Sequence, residues 1–275
     1  MNVTDSWVTV NLANWYASPV IVCTVNYRNN TIPVVTRIDA VTNTSFDLRL
    51  QNPGDLGTPA PDEVHYIVME EGVWTMPDGR KVEARKYLST VTSENNSWVG
   101  ETRTYGQTYT SPVVLGQVMS YNDSRWSVFW CSSGSRTSPP TASQLRTGKH
   151  VAEDTVVTRA DETIGYIVID AGTGTLDGVK YEAKVGSDIV RSVTNAPPYS
   201  YTFAQSFSTA PIVAVVSQAA MDGSDGSWAY LYGSSPLTTT QIRLALDEDQ
   251  IGGSERSHST EQVAWIAFES HVVYP

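Results

Sequence analysis

One pattern, written three times, constrains this chain more than any other feature. Ser/Thr/Ala-Pro-Val/Ile-Val segments recur at Pro19, Pro112 and Pro211, and each leads on to an apolar closing segment: VHYIVME around Tyr66, IGYIVID around Tyr166 and VAWIAFE around Trp265. The closing aromatics stand 100 and 99 residues apart, and the pairs Asp78-Gly79 and Asp177-Gly178 are 99 apart. Solenoid repeats run to about 20–50 residues, so this period suits complete small domains in tandem. The expected units are 1–90, 91–195 and 196–275, each an antiparallel β-sandwich, joined end to end in an elongated array.

The all-β expectation rests on local pattern. DSWVTVNL alternates Val8, Val10 and Leu12 with polar residues, and TSFDLRL places Phe46, Leu48 and Leu50 on one face, the period of half-buried strands. PVIVCTV is apolar on both faces, as in a central strand. Unit 2 opens on Asn96-Ser97-Trp98-Val99, an echo of Asp5-Ser6-Trp7-Val8, and unit 3 alternates Ile242, Leu244 and Leu246. GVWTMPDGRKVEA and GTGTLDGVKYEA each carry Asp-Gly between β-prone runs, a hairpin signal because the turn needs positive φ. Each hairpin follows a closing segment and reads as a spacer that docks one unit against the next; alternatively unit 3, which ends on SHVVYP instead, is incomplete and is finished with help from another chain.

Composition narrows the function classes. The net charge is −11, and no basic stripe of the kind nucleic acid requires is present. No apolar run approaches the ~20 residues of a membrane helix, and no basic-then-apolar signal segment opens the sequence. Cys23 and Cys131 hold non-equivalent places, which argues against a repeated disulfide; Cys23, inside VIVCTV, reads as a small buried thiol. Asn-x-Ser/Thr sites begin at Asn2, Asn29, Asn43, Asn95 and Asn122 and permit glycosylation in a secreted chain.

Unit 3 resembles the H-type lectin domain. The likeness lies in Phe203 and Phe207 before Ala210-Pro211-Ile212-Val213, in Ile242-Leu244-Leu246 and in Val263-x-Trp265-x-Ala267; IDAVTNTSFDLRL of unit 1 is similar to the strand–turn–strand of that family. It covers some 70 residues of each unit, mostly at core positions. The resemblance implies a six-stranded antiparallel sandwich, trimeric in the lectins, with sugars such as N-acetylgalactosamine bound at subunit boundaries through a loop acid, an Arg and a His. Three units in one chain and the added hairpins depart from it.

On that likeness the candidate ligand-binding residues are Asp222, Asp225, Trp228, Arg256 and His258 in unit 3, and Asn122, Asp123, Trp126 and Arg159 in unit 2. Charged donors beside an aromatic plate suit a hydroxyl-rich, CH-faced sugar ring. Trp126 and Trp228 can equally stand as core aromatics, and His258 as a loop residue held by neighbouring charge. Asp62, Glu162 and Glu261 each precede a closing aromatic by four residues, with Glu153-Asp154 and Asp247-Glu248-Asp249 upstream. Such acids could gather calcium oxygens, although the spacing is not that of an EF-hand; they could also pair with Arg159 or Arg256 to fix a loop.

HExxH, P-loop, GxSxG and zinc spacings are absent from the sequence, so catalysis is not expected. The expected function is a non-enzymatic, extracellular or cell-surface lectin-like adhesive protein that binds glycans or extracellular matrix with the avidity of repeated units. The alternatives are a structural subunit that self-associates head to tail into a filament and an accessory module of a polysaccharide-degrading enzyme.

Overall fold

The structure, a computed structural model, describes residues 1–273 apart from Asp55 and Asn96. It is all-β, with no helix among the described residues and several separate sheets. The first stretch gives β1 (Asn2–Val3), β2 (Val8–Asn11), β3 (Pro19–Tyr27), β4 (Val35–Asp39), β5 (Ser45–Gln51) and β6 (Asp62–Glu70). The second gives β7 (Gly72–Thr75), β8 (Lys81–Ser89), β9 (Thr92–Ser93), β10 (Glu101–Arg103), β11 (Pro112–Val118), β12 (Val128–Ser132), β13 (Leu145–His150) and β14 (Glu162–Asp170). The third gives β15 (Gly172–Leu176), β16 (Val179–Val185), β17 (Tyr199–Thr202), β18 (Val213–Gln218), β19 (Trp228–Tyr232), β20 (Gln241–Asp247) and β21 (Val263–Phe268).

The repeat in the sequence is a repeat of pairing. Each Pro-Val/Ile segment is the antiparallel neighbour of its own closing strand, with Cys23 opposite Tyr66, Gly116 opposite Tyr166 and Val216 opposite Trp265. The register slips by one residue in unit 3: Pro19 and Pro112 stand four residues before the partner of the aromatic, whereas Pro211 stands five before Val216. Three further groups stand beside them: β2-β5-β4; β10-β13-β12, with β9 paired to β13; and β17-β20-β19, which continues through β3 and β6 to β1 as one six-stranded sheet. In unit 2 the buried side chains of β11 and β14 (Val114, Val118, Ile164, Tyr166, Val168) share a core with Phe129, Cys131 and Leu145 of β12 and β13, which is sandwich packing.

An array laid end to end is not what the strands form. β3, β11 and β18 meet at the centre of the molecule, where the Cys23 N–H donates to Gln117 Oε1 at 3.3 Å, the Gly116 N–H to Ser217 Oγ at 3.0 Å, and the Val216 N–H to Thr24 Oγ1 at 2.8 Å. One apolar cluster joins Val20 and Val22, Val113 and Leu115, and Val215, residues from all three units. β19 runs parallel to β3, which links unit 3 back to unit 1. The cause is visible in composition. Every residue of β3 and of β11 is buried, so one face packs into its own unit and the other needs cover. Leaving that second face wet would forfeit about 25 cal/mol for each Å² of apolar surface. Closing the units around one another covers it.

The two Asp-Gly hairpins do more than space the units. β8 pairs along β14 from Val82–Ile169 to Ser89–Glu162, and β16 pairs along β21 from Tyr181–Phe268 to Val185–Ala264. Each hairpin therefore leaves one closing strand and becomes part of the next unit's sheet, β11-β14-β8-β7 in one case and β15-β16-β21-β18 in the other. Asp177 and Gly178 both sit at left-handed φ, 48° and 77°, as a two-residue type I′ turn demands.

Candidate functional site

Three loops follow the central strands, and one acid position builds all three. Asp62 accepts the N–H groups of Arg28 (3.2 Å), Asn29 (2.8 Å) and Asn30 (3.3 Å). Glu162 accepts those of Asn122 (3.1 Å) and Asp123 (3.0 Å), together with the Ser120 hydroxyl. Glu261 accepts those of Asp222 (2.8 Å) and Gly223 (2.9 Å). All three acids are fully buried. A buried carboxylate must find donors, and consecutive backbone N–H groups in a loop supply them.

A second recurring acid sits four residues after each closing aromatic. Glu70 accepts the N–H groups of Ala17 and Ser18, both at 2.8 Å; Asp170 accepts those of Thr110 (2.8 Å) and Ser111 (2.9 Å). Glu269 does the same for Thr209 at 2.9 Å and for Ser208, and those bonds hold its carboxyl below the ordinary range.

The loops lie at the boundaries between units, and cations cross those boundaries. Arg37, on β4, donates to the Arg125 carbonyl at 2.8 Å and the Asp123 carbonyl at 3.1 Å, and lies 3.6 Å from Glu162. Burial pushes its guanidinium down to about 10, with Glu162 opposing. Arg136 donates to the Asp222 and Gly223 carbonyls at 2.8 and 3.1 Å. Arg256 clasps Asp247 with bonds of 2.8 and 2.6 Å and crosses to the Thr31 carbonyl at 2.7 Å and the Tyr27 hydroxyl at 2.8 Å. Burial works against both charges of the Arg256–Asp247 pair and the two bonds work for them, leaving Arg256 held above its ordinary value.

In unit 3 the loop gains an ionisable cluster. His258 is buried, with Nδ1 against Glu248 and Nε2 at 2.9 Å from Glu261; Asp225 lies 3.8 Å from Nδ1. Gly223 makes room for it, since a Cβ there would come within 2.2 Å of the imidazole. Burial alone would lower the His258 pKa, but its bonds to Glu248 and Glu261 outweigh that and raise it to about 9. Burial raises Glu248 to about 7, with His258 opposing. The two upward directions have different causes: carboxylate partners raise the imidazole, and burial raises the carboxyl. Glu248, Asp225 and His258 present three ligand-type atoms within 4.8 Å of one another. With both ring nitrogens facing carboxylates, however, the imidazole has the environment of a cation rather than a metal ligand, and calcium prefers six to eight oxygens.

The residues expected to touch ligand are mostly occupied inside the molecule. Trp228 is buried and donates to the Val34 carbonyl at 3.0 Å, and Trp126 packs against it with ring centroids 5.5 Å apart. Both belong to the shared core, so neither is a surface plate. Arg159 is tied to Asp154 at 2.6 Å and to the Trp126 carbonyl at 3.3 Å. Asp123 holds Arg125 at 2.9 and 2.7 Å and the Ala160 N–H at 2.9 Å, which keeps its carboxyl well below the ordinary range, the Arg125 bonds first. Asp222, partly buried, is pushed up to about 6 by burial and by Glu261. Asn122 alone is openly exposed; its side-chain amide donates to the Asp161 carbonyl at 2.8 Å.

The surface aromatics are others. Trp7, 37% exposed, meets Tyr121 of the unit 2 loop edge to face at 5.1 Å, and the Arg49 guanidinium lies 5.5 Å over the Trp7 ring. Gln51 reaches the Ser124 carbonyl of the same loop at 2.8 Å. Trp98 behaves alike one boundary on, donating to the Ser224 carbonyl at 3.0 Å. The Ser-Trp-Val echo in the sequence thus marks two boundary tryptophans; Asn96 of that echo lies outside the described residues. Trp7, Arg49 and Tyr121 were legible only as strand or loop residues, because the contact that groups them joins two units. Compared with models of known protein families, with curated proteins and with solved structures, the chain matches none.

Proposed function

We propose that this chain is a non-enzymatic, extracellular glycan-binding protein of H-type lectin character, with its ligand surface at the boundary of units 1 and 2. One observation carries the reading: the corner of the exposed Trp7 and the half-buried Tyr121, with Arg49 over the Trp7 ring and the exposed Asn122 in the same loop as Tyr121. A CH-rich sugar face stacks on indole, while guanidinium and amide groups meet its hydroxyls. The lectin resemblance, with its boundary sites, supports the same placement. A glycan array on the wild type, Trp7→Ala and Arg49→Ala tests it: the wild type binds a set of glycans and both variants lose them. An array blank for the wild type, or unchanged in both variants, contradicts the reading. A second reading, a structural subunit joined head to tail, is favoured by the hairpins that already pass from one unit into the next.

A further inference from the structure

The closing strands β6, β14 and β21 are partnered unequally. β14 and β21 are each flanked on their far edge by a hairpin strand, β8 or β16, and every residue from Tyr166 to Ile169 and from Val263 to Phe268 is buried. On the same edge β6 meets, among the described residues, only β1, at Asp62 and Glu63, and Met1, which exchanges bonds of 2.7 and 3.0 Å with Val64. Backbone direction alternates along a strand, so the N–H and C=O groups of Tyr66 and Val68 face that edge too. No strand among the described residues pairs with them there, and Tyr66, Ile67, Val68 and Met69 are only half-buried.

The adjoining ledge lacks cover in the same way. Leu12 and Tyr16 of unit 1 occupy the places of Phe203 and Phe207 in unit 3: the Leu12 and Phe203 N–H groups donate to the Thr44 and Thr240 carbonyls, and those of Tyr16 and Phe207 to Asn43 and Thr239. Phe207 is buried but Tyr16 is half-buried, and Trp15 beside it is 67% exposed. In unit 3 the Ala204 N–H donates to Glu182 of the hairpin at 2.8 Å, and in unit 2 the Gly106 N–H donates to Glu83 at 2.7 Å. The matching Ala13 N–H has no partner among the described residues.

The vacant place is hairpin-shaped, and the hairpins filling its two counterparts share one signature. Glu83-Ala84-Arg85 lies opposite Val168, Ile167 and Tyr166, and Glu182-Ala183-Lys184 lies opposite Ala267, Ile266 and Trp265. We infer that the open edge of β6 is a docking site for a β-hairpin of this type donated by another polypeptide, an Asp-Gly turn followed by apolar-Glu-Ala-Lys/Arg. Its Glu reaches the Ala13 N–H, and its backbone pairs with Tyr66 and Val68. This is strand addition with side-chain specificity, continuous with an interface the chain already makes twice. Both Asp-Gly hairpins of this chain are already paired within it, so the head-to-tail reading does not depend on this edge and either can fail alone.

The probe is a synthetic peptide of residues 172–185, added to the full chain and followed by amide hydrogen exchange and calorimetry. Saturable 1:1 binding with slowed exchange at Tyr66, Val68 and Ala13 is expected. The same peptide with Glu182→Ala, having lost a charge-assisted bond, should bind about tenfold more weakly. A second arm guards against a peptide that does not fold: residues 172–185 fused directly before Met1 place Lys184 opposite Tyr66 in the register of unit 3. Protection in the fusion without peptide binding would confine the edge to an intramolecular partner and overturn donation in trans. Free exchange at Tyr66 and Val68 in both arms would overturn the site.

Discussion

The loop after β3 and the loop after β18 hang from the same acid position yet differ in what surrounds it. Asp62 holds backbone N–H groups and the Asn30 amide (2.8 Å), all neutral donors. Glu261 holds backbone N–H groups and a charged imidazole that is itself shared with Glu248. The scaffold is common and the electrostatics are local. A repeated fold can therefore keep one structural device while a single unit acquires titration behaviour of its own.

Removing each acid separates the two cases, and this is the largest expected effect. Glu261→Ala removes one of the two buried carboxylate partners of His258 and the acceptor of the Asp222 and Gly223 N–H groups, and should cost about 3–5 kcal/mol, the range for breaking a buried charged pair. Asp62→Ala strips only neutral donors, at about 1.5–3 kcal/mol for hydrogen bonds to a charged group. Urea midpoints of the two variants give the order. A larger loss for Asp62→Ala would erase the distinction between the loops.

The second expectation concerns pH. The Glu248 pKa stands at about 7 in the fold against an ordinary 4.5, so its contribution to stability is full below the ordinary value and lost as pH rises through 7. His258, at about 9 against 6.5, contributes fully below its ordinary value and loses that contribution as pH rises through 9. Between pH 7 and pH 9 these two groups should lower the unfolding free energy, read from unfolding midpoints, by roughly 2–3 kcal/mol, whereas below pH 7 His150 and His65, which burial holds below the ordinary imidazole value, contribute in the opposite direction. Glu248→Gln should remove the contribution of that carboxyl below pH 7. Stability that rises between pH 7 and pH 9 would contradict the charged state assigned to His258.

The smallest effect on stability belongs to the corner of Trp7 and Tyr121. Trp7→Ala removes an edge-to-face contact with Tyr121, worth about 0.5–1.5 kcal/mol. A loss several times larger would mean that Trp7 is a keystone of the boundary and not a surface available to ligand.

Much of the fold could be read from the sequence. The alternation in TSFDLRL became β5, and the three Pro-Val/Ile segments became the strands beside the three closing strands. The assembly could not be read so directly. A strand apolar on both faces announces that something covers it; that the cover is the other two units depends on contacts such as Cys23 to Gln117 across 94 residues. The same limit governed the site. Trp126 and Trp228 have the composition of a sugar platform, but the unit boundary buries them against each other. Trp7, Tyr121 and Arg49 come from three separate segments. The Asp62, Glu162 and Glu261 series was visible as spacing, and its reason was in the backbone of the loops. Of SHVVYP, Tyr274 and Pro275 lie outside the described residues, while Val272 packs against the shared core.

The central claim is that three units close around one core formed by β3, β11 and β18. Small-angle X-ray scattering on the dilute chain tests it directly. Compact packing of 275 residues gives a radius of gyration of about 19 Å, whereas the same units laid end to end give roughly 28 Å. A value near the first, with a single-peaked distance distribution, is the predicted result. A value near the second, with an extended tail in the distribution, would contradict the closed arrangement and every boundary contact derived from it.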